Sequence, residues 1–574
     1  MTTSLIDAQS VLAVDIGSVH TRAVLFDVVD GVYHFIASGI MPTTIDAPYN
    51  DAREGILLAV KRLEEITGRI LLDPNAFLVI PSQSDGSGAD RLVVTYSAGP
   101  ELRLVTTGLL PDVSLDSAQR LAAASYGQVV ESISLNDRRP AEAQLDAIIR
   151  ARPDVMILVG GSERGATRSV MKMVELTAIA CRLLPREQRP QVLYAGNQAI
   201  ADKVKESLEK LTNVTTASNV RPSVDSEDLR PAQDALAQVT TQVRVQQIGG
   251  MHSLSTMSAA GPMPTAQAFG RMTRFLSLRS PNRGVLGVDL GGSAAIFAAA
   301  LNGKLALNVL RPFGMGSGIL PVLQSGKLDD IAQWLPMHVA ENVVEETLWQ
   351  KSLFPASLPL TGESLAIAQG AARQALRYGM QQLAARWPGL PARFDTIVAA
   401  GAVFTGAASY GQALLMLLDG LQPQGVTNLY LDQNGLLPGM GAAAEFNPLL
   451  PVQVLDSGAL LHLGTVITPV STAKYGTSIL KVGLDYGDGN VSQVEIKQGT
   501  LTVLPVRLGQ KVDVICQPLR KVEIGARGKD GSYQYSLTGG ACGVAIDARG
   551  RPLALPPDAP RRREMLKKWS LALS

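Results

Sequence analysis

Two short turns constrain this chain more than any other feature: Val14-Asp15-Ile16-Gly17-Ser18 near the start, and Val288-Asp289-Leu290-Gly291-Gly292-Ser293 in the middle. Apolar runs flank each one, residues 11–14 and 23–26 around the first and 285–288 and 294–300 around the second. Each therefore reads as β-turn-β with Asp-x-Gly at its tip. Glycine lets backbone N–H groups close on an anion, a serine hydroxyl donates to it, and an aspartate holds Mg²⁺ through water. One such turn is an ordinary tight connection. The same turn twice, in the same strand context, points to a phosphate gripped from two sides.

Size and composition narrow the rest. At 574 residues the chain is too long for one core and should hold about three or four domains. With 46% apolar residues, 18% charged and a net charge of +1, it is not a disordered chain. It also carries no global field that would favour nucleic acid or an acidic membrane as partner. Cys181, Cys516 and Cys542 are far apart and odd in number, which argues against a disulfide framework or zinc cluster and for a reducing cytoplasm. The start, MTTSLIDAQS, has no basic region followed by an apolar stretch, so no signal peptide is expected. The most apolar window, 284–301, contains Asp289 and several glycines, and reads as a buried strand pair rather than a transmembrane span.

A β-β-β-α opening follows the first turn, its helix over about 51–66 carrying Ile56, Ala59, Val60 and Leu63 on one face. Further strand-like runs lie at 76–80, 91–96 and 102–106. Strands at 155–159 and 192–195 each end in glycine and lead into a helix, the alternation of a parallel sheet. Gly249-Gly250-Met251-His252-Ser253 reads as a loop. The glycine-dense Gly314-Met315-Gly316-Ser317-Gly318 has the composition to offer N–H groups to an anion. Thr361 reads as the N-cap of a long helix to about Arg386, and a strand over 395–400 ends at Gly401. From about Val452 the chain turns rich in Val, Ile and Thr and reads as a separate antiparallel β domain, closed by a basic, solvated helix over 560–569.

The order of these parts resembles the actin-like ATPase superfamily, which includes sugar kinases, actin and heat-shock chaperones. Within it the chain is similar to the MutL/GlmL family, proteins associated with cobalamin-dependent glutamate mutase and related aminomutases. The likeness lies in VLAVDIGSVHTRAVLFD, DVMILVGGSERGA with VLYAGN after it, GVLGVDLGGS, LAIAQGAARQAL and DTIVAAGAVF, across about residues 10–450. The resemblance implies an α/β, actin-like (ribonuclease H-like) two-lobed ATPase fold; the C-terminal antiparallel β domain read from composition is added to it and has no match in the core family. It divides the chain into a first lobe at 1–150, an inserted α/β segment and linker at 151–283, a second lobe at 284–450 and the β-rich end at 451–574.

What the resemblance implies for the site is ATP or ADP with Mg²⁺. Asp15 and Asp289 would stand at the metal, with Gly17, Ser18, Thr21 and Arg22 at the first phosphate turn. Gly291, Gly292 and Ser293 would form the second, and Gly401, Ala402, Val403 and Phe404 the adenosine turn. The implied role is a cytoplasmic accessory or chaperone-like partner of a cobalamin-dependent mutase, opening and closing with nucleotide state. Departures bear on hydrolysis. Where the family follows its second turn with threonines and an aspartate, this chain has Ser293-Ala294-Ala295-Ile296-Phe297, and Arg22 stands where the family has lysine. No residue stands out as the group that positions an attacking water, so at most weak ATPase activity is expected. A non-hydrolysing scaffold and a small-molecule kinase are the alternatives on the same fold; no general base stands out for the second.

Overall fold

The computed structural model describes residues 9–163, 165–324, 328–391, 393–487, 491–528 and 531–573. The first eight residues, on which the signal-peptide expectation rests, lie outside the described residues. The first lobe opens with an antiparallel meander, β1 (Val11–Ile16), β2 (His20–Val29) and β3 (Val32–Pro42). Helix α1 (Ala52–Thr67) follows, capped by Asp51, whose carboxylate accepts from the Arg53 N–H. Its buried face of Ile56, Ala59, Val60 and Leu63 covers Leu12, Val14 and Ile16 on the sheet. β4 (Arg91–Tyr96) then pairs parallel to β1. The expected strand at 76–80 is not one; it contributes only the bridge Leu72–Leu78.

An α/β unit is inserted next: β5 (Leu102–Gly108), α2 (Asp116–Ala123), β6 (Gly127–Ser134), α3 (Ala141–Ala151), β7 (Val155–Leu158), α4 (Thr167–Leu183), β8 (Gln191–Tyr194), α5 (Ala201–Leu208) and β9 (Val214–Thr216). Its five strands are parallel, in the order β6-β5-β7-β8-β9. Apolar side chains on both faces form two cores, as a helix-covered parallel sheet requires. A boundary at residue 150 would cut this sheet in two. The strand-like run at 102–106 is β5, whose Leu104 and Val105 pair with β7; β6 is a strand that the sequence reading does not mark.

Helices α6 (Arg230–Gln247) and α7 (Met251–Met257) lead back; the second replaces the expected loop, with Met251 and Leu254 buried against α1's core. β10 (Met263–Pro264) rejoins the first sheet beside β4, and α8 (Thr265–Arg279) crosses to the second lobe.

The second lobe repeats the first. It comprises β11 (Val285–Leu290), β12 (Ala295–Leu301), β13 (Lys304–Leu310), α9 (Leu320–Gln324), α10 (Asp329–Ala332), α11 (Glu341–Leu353), α12 (Gly362–Arg386), β14 (Thr396–Ala400), α13 (Ala402–Thr405), α14 (Tyr410–Leu421), β15 (Gly425–Leu431), α15 (Leu436–Ala443) and α16 (Leu449–Asp456). The order β13-β12-β11-β14-β15 matches β3-β2-β1-β4-β10 strand for strand, with the same directions. This duplication is the two-lobed actin-like ATPase fold. A shared core joins the lobes, with Val11, Ala13 and Phe26 from one side and Ile296, Ala298 and Val398 from the other, spanned by α8 and α15.

The C-terminal region adds β16 (Leu461–Thr468), β17 (Val470–Ser471), β18 (Ser478–Asp485), β19 (Val491–Lys497), β20 (Leu501–Leu504), β21 (Lys511–Pro518), β22 (Val522–Glu523), β23 (Tyr533–Thr538), β24 (Val544–Asp547) and α17 (Ala559–Ala572). The antiparallel sheet β19-β18-β21-β23 is present as expected, but the region is not separate. β16, β24 and β20 continue the second lobe's sheet to eight strands. The terminal helix is docked rather than solvated. Leu566 and Trp569 are buried in the second lobe's core, the Trp569 Nε1–H donates to the Gly499 carbonyl at 3.3 Å, and the Arg549 guanidinium lies 4.8 Å from the ring centroid. Among the described residues no helix is long and apolar enough to cross a membrane.

A buried ion network fastens this region to the lobe. Asp419 on α14 binds Arg373 on α12 at 2.7 Å and Arg549 at 2.6 Å; Asp547 binds Arg549 at 2.8 Å and Arg551 at 2.7 Å. Burial works against the Asp547 carboxylate, yet the Arg549 and Arg551 charges outweigh it and hold its pKa well below the usual range. Asp419→Ala should cost about 3–5 kcal/mol of stability in urea denaturation, because it strands the buried Arg373 guanidinium and takes one of two carboxylate partners from Arg549. A loss under about 1 kcal/mol would show that the region is held by apolar burial alone.

Candidate nucleotide and metal site

The two Asp-x-Gly turns meet at the junction of the lobes. Both hairpins close identically, Gly17 N–H on the His20 carbonyl and Gly291 N–H on the Ala294 carbonyl, each at 3.0 Å. Side chains alternate along a strand, so Asp15 and Asp289 leave their sheets on the face that carries the shared core. Asp15 Oδ1 accepts from the hydroxyls of Thr95 on β4 and Thr265 at the start of α8, both at 2.7 Å. Burial first, then the Asp15 charge, pushes the Asp289 carboxyl up to about 7; Arg22 opposes the shift and Asp432 adds to it. The tips themselves touch. A β-carbon on Gly292 would collide with the Val19 side chain and stand 3.0 Å from Ser18 Oγ.

Arg22 is paired in register with Asp15 and so points the same way. Its guanidinium crosses to the second lobe, where it occupies the space a β-carbon on Gly435 would need. Gly435 has φ +64, and its missing side chain is what admits the arginine. The Arg22 Nε is buried without a hydrogen-bond partner. Asp432, next to it at the end of β15, accepts from the Leu436 and Leu437 N–H groups at 2.9 Å each and so caps α15. Burial raises the Asp432 pKa, while those two bonds and Arg22 hold it down.

The remaining expected residues divide. Gly17, Ser18, Gly291, Gly292 and Ser293 lie together at the half-exposed tips. Thr21 does not join them. It faces the opposite side of β2, fully buried, with its hydroxyl 3.3 Å from Thr43 Oγ1. Gly401 turns the chain from β14 into α13 with φ +119, and Ala402 is exposed beside it. Val403 packs against the second lobe's core and Phe404 is buried within it, so these two support the turn from behind. Three of the five amides in Gly314–Gly318 are taken by backbone carbonyls. The N–H groups of Gly316 and Gly318 bond the Gly292 carbonyl at 2.8 and 3.2 Å, and that of Met315 bonds Gly291 at 2.8 Å, bracing the second turn.

Sequence reasoning missed Thr95, Thr265, Asp432 and Tyr126. Tyr126 lies between α2 and β6 of the inserted unit, yet its side chain enters the junction core. Its hydroxyl has no hydrogen-bond partner, and its pKa is pushed well above the usual phenol value by burial, then by Asp289 and Asp15. Only Asp432 had a sequence signal, a polar residue closing an apolar strand three positions before Gly435.

The sequence profile of the family described as MutL protein matches residues 11–458. The chain belongs to the MutL family. The curated Protein MutL of Clostridium tetanomorphum is 22% identical over 259 residues, 44% of this chain and 54% of that protein. The chain thus spans about half the length of that curated MutL relative. Among solved structures, a nucleotide-free acetone carboxylase is 12% identical across 86% of this chain and 81% of its own, with a TM-score of 0.33. The ethanolamine utilization protein EutJ from Carboxydothermus hydrogenoformans is 9% identical across 77% and 91%, with a TM-score of 0.28. Xylulose kinase from Bifidobacterium adolescentis is 12% identical across 78% and 93%, also at 0.28. At such scores the strand orders of this MutL-family chain, not the overlays, define its fold.

A carboxyl whose folded pKa lies above its unfolded value favours the protonated fold, so its contribution to stability is lost as pH rises from about 4 towards 7. Asp289→Asn should therefore raise the melting free energy by roughly 1–3 kcal/mol at about pH 8 without divalent cations, and change little at about pH 4. Equal effects at both pH values would mean that Asp289 is not charge-strained.

Proposed function

We propose that this chain binds ATP or ADP with Mg²⁺ at the lobe junction and serves as an accessory, chaperone-like factor to a cobalamin-dependent mutase, such as a glutamate mutase or aminomutase. The observation that carries the nucleotide half is the Asp15–Asp289 pair. Burial and then the Asp15 charge lift Asp289 to about 7, and two recessed carboxylates side by side are the charge pattern a divalent cation relieves, so the donor set fits Mg²⁺. A bound Mg²⁺ would neutralise phosphate charge between the turns. Asp15 and Asp289 would hold it. Arg22, Ser18 and the amides of Gly292 and Ser293 would face the phosphates, Gly17 and Gly291 would shape the turns with their N–H groups held by the His20 and Ala294 carbonyls, and Gly401 with Ala402 would face the adenosine.

Contact between Val19 and Gly292 supports a switch. A phosphate can enter between the tips only if they part, so ligand entry is tied to movement of one lobe against the other. Ala294, Ala295 and Ile296 supply no hydroxyl or carboxylate beyond the second turn, which favours slow hydrolysis or none. The mutase as partner rests on the likeness to the MutL/GlmL family. If ATP binds and is never cleaved, the scaffold reading takes precedence over the weak ATPase.

Calorimetry with ADP and Mg²⁺ should show one saturable site, lost in Asp15→Ala and Asp289→Ala. Mg²⁺ affinity should weaken about tenfold per pH unit below about 7, as protons compete for Asp289. Gly435→Ala, which displaces Arg22, should weaken ADP by about tenfold or more. Gly458→Ala, with φ +81 and open space around it, controls for backbone strain and should leave binding unchanged. Absence of any ADP binding ends the nucleotide reading. The partner half is tested by adding the chain with ATP and Mg²⁺ to a mutase carrying inactivated cobalamin, where turnover should return; no recovery with any nucleotide rejects it.

A further inference from the structure

A second cavity, of about 1280 Å³, lies between the inserted unit and the edge of the second lobe, and neither Asp15 nor Asp289 borders it. Its walls are α2 and α6 of the insert, α8, the β12–β13 hairpin and the segment that follows α12. Seven arginine and lysine side chains line it against five carboxylates. The carboxylates are largely committed. Asp116 and Glu227 bind Arg120 at 2.5 and 2.8 Å, Glu445 binds Arg271 at 3.2 Å, and Asp234 accepts from the Gln267 amide at 2.7 Å.

Among the described residues, Asp228 accepts only from the Arg230 backbone N–H and, like Asp234, makes no ion pair, so the lining carries an excess of two positive charges, with four cations unpaired. Among the described residues, Arg230, Arg274, Lys304 and Arg386 line the cavity with no ion pair; Arg386 has only a long hydrogen bond to Asn308, at 3.3 Å. Burial, then the Arg230 charge, draws the Arg274 pKa down, with Asp234 opposing and Arg271 adding to the shift. Burial lowers that of Arg386 as well. Two further donors are buried on the same walls without partners, Gln233 Nε2 and Trp387 Nε1. Arg230 and Lys304 are exposed at the rim, while Arg274 and Arg386 are half-buried. Buried donors in native proteins are nearly always paired, and the two half-buried guanidinium groups are stabilised by an added counter-charge. The floor is apolar, with Ala299, Leu305 and Leu307 from the β12–β13 hairpin.

We propose that this cleft is a second binding site, for a small anionic ligand whose phosphate or carboxylate groups sit on Arg230, Arg274, Lys304 and Arg386 and whose apolar part lies on the β12–β13 floor. The volume accommodates a ligand of nucleotide size or larger. Arginine forks match phosphate and carboxylate alike, and the orphaned amide and indole N–H groups supply neutral donors to the same acceptors. The site is independent of the nucleotide turns and joins two units of the chain, so a ligand there would fix the insert against the second lobe.

The test is calorimetry of the full chain in chelator with pyrophosphate in one arm and succinate in the other, on wild type, Arg274→Gln, Lys304→Gln and Gly435→Ala. Saturable binding is expected in at least one arm, weakened about tenfold in Arg274→Gln and in Lys304→Gln and unchanged in Gly435→Ala. Neither substituted cation makes an ion pair, so both variants should melt at or above the wild-type temperature. Loss of binding in Gly435→Ala alone would assign the anion to the nucleotide cleft and overturn the proposal. No saturable binding in either arm would overturn it too, as would melting well below wild type by both variants with affinity unchanged. Failure of ADP to bind at the lobe junction would leave these outcomes unaffected.

Discussion

Two carboxylates set the terms for the rest of this molecule. Asp15 and Asp289 stand at equivalent ends of two different sheets, and each points into the core that joins them because side chains alternate along a strand. Burial first, and then the charge of Asp15, lifts Asp289 to about 7. Natural folds keep such strain where function needs it. The surroundings hold the pair in place: two threonine hydroxyls fix Asp15, and the Gly316 and Gly318 amides fasten the second turn through the Gly292 carbonyl.

The two halves repeat in topology but not in chemistry. The residue paired with Asp15 is Arg22, and the residue paired with Asp289 is Ile296. The first lobe thus sends a cation across the junction, while the second offers an apolar side chain that only packs. Arg22 reaches its place because Gly435 lacks a side chain, so the charge balance of the site depends on a glycine from the opposite lobe. On the function proposed above, a site with carboxylates, a crossing cation and no further hydroxyl at the second turn would hold an anion–metal pair better than it would activate water.

The turns and the two lobes were legible in sequence because an Asp-x-Gly tip between apolar strands is a local pattern, and the pattern occurs twice. The family likeness then ordered the parts between them. What escaped was set by distance or by pairing. Thr265 meets Asp15 across 250 positions, which no local pattern records. β5 carries the apolar character of a strand in either sheet, and only its pairing with β6 and β7 places it in the insert. The C-terminal segments looked independent because their composition changes, yet β16 extends an existing sheet and α17 hides Leu566 and Trp569 behind a surface of arginines and lysines. Gly316 and Gly318 have the composition of an anion loop, and their amides are consumed by a backbone carbonyl instead.

The chain path gives the junction a mechanical link to the insert. Thr95 and Thr265, which hold Asp15, bracket the inserted unit in sequence: the chain leaves the first lobe just after one and returns just before the other. Tyr126 comes from within that unit and places an unpartnered hydroxyl near both carboxylates. A change of charge at Asp15 and Asp289 therefore acts on both roots of the insert and on one side chain that the insert sends into the junction core. In a close-packed core such a shift is resolved by movement between discrete arrangements rather than by gradual deformation. The insert is the part of this fold best placed to report what the junction holds.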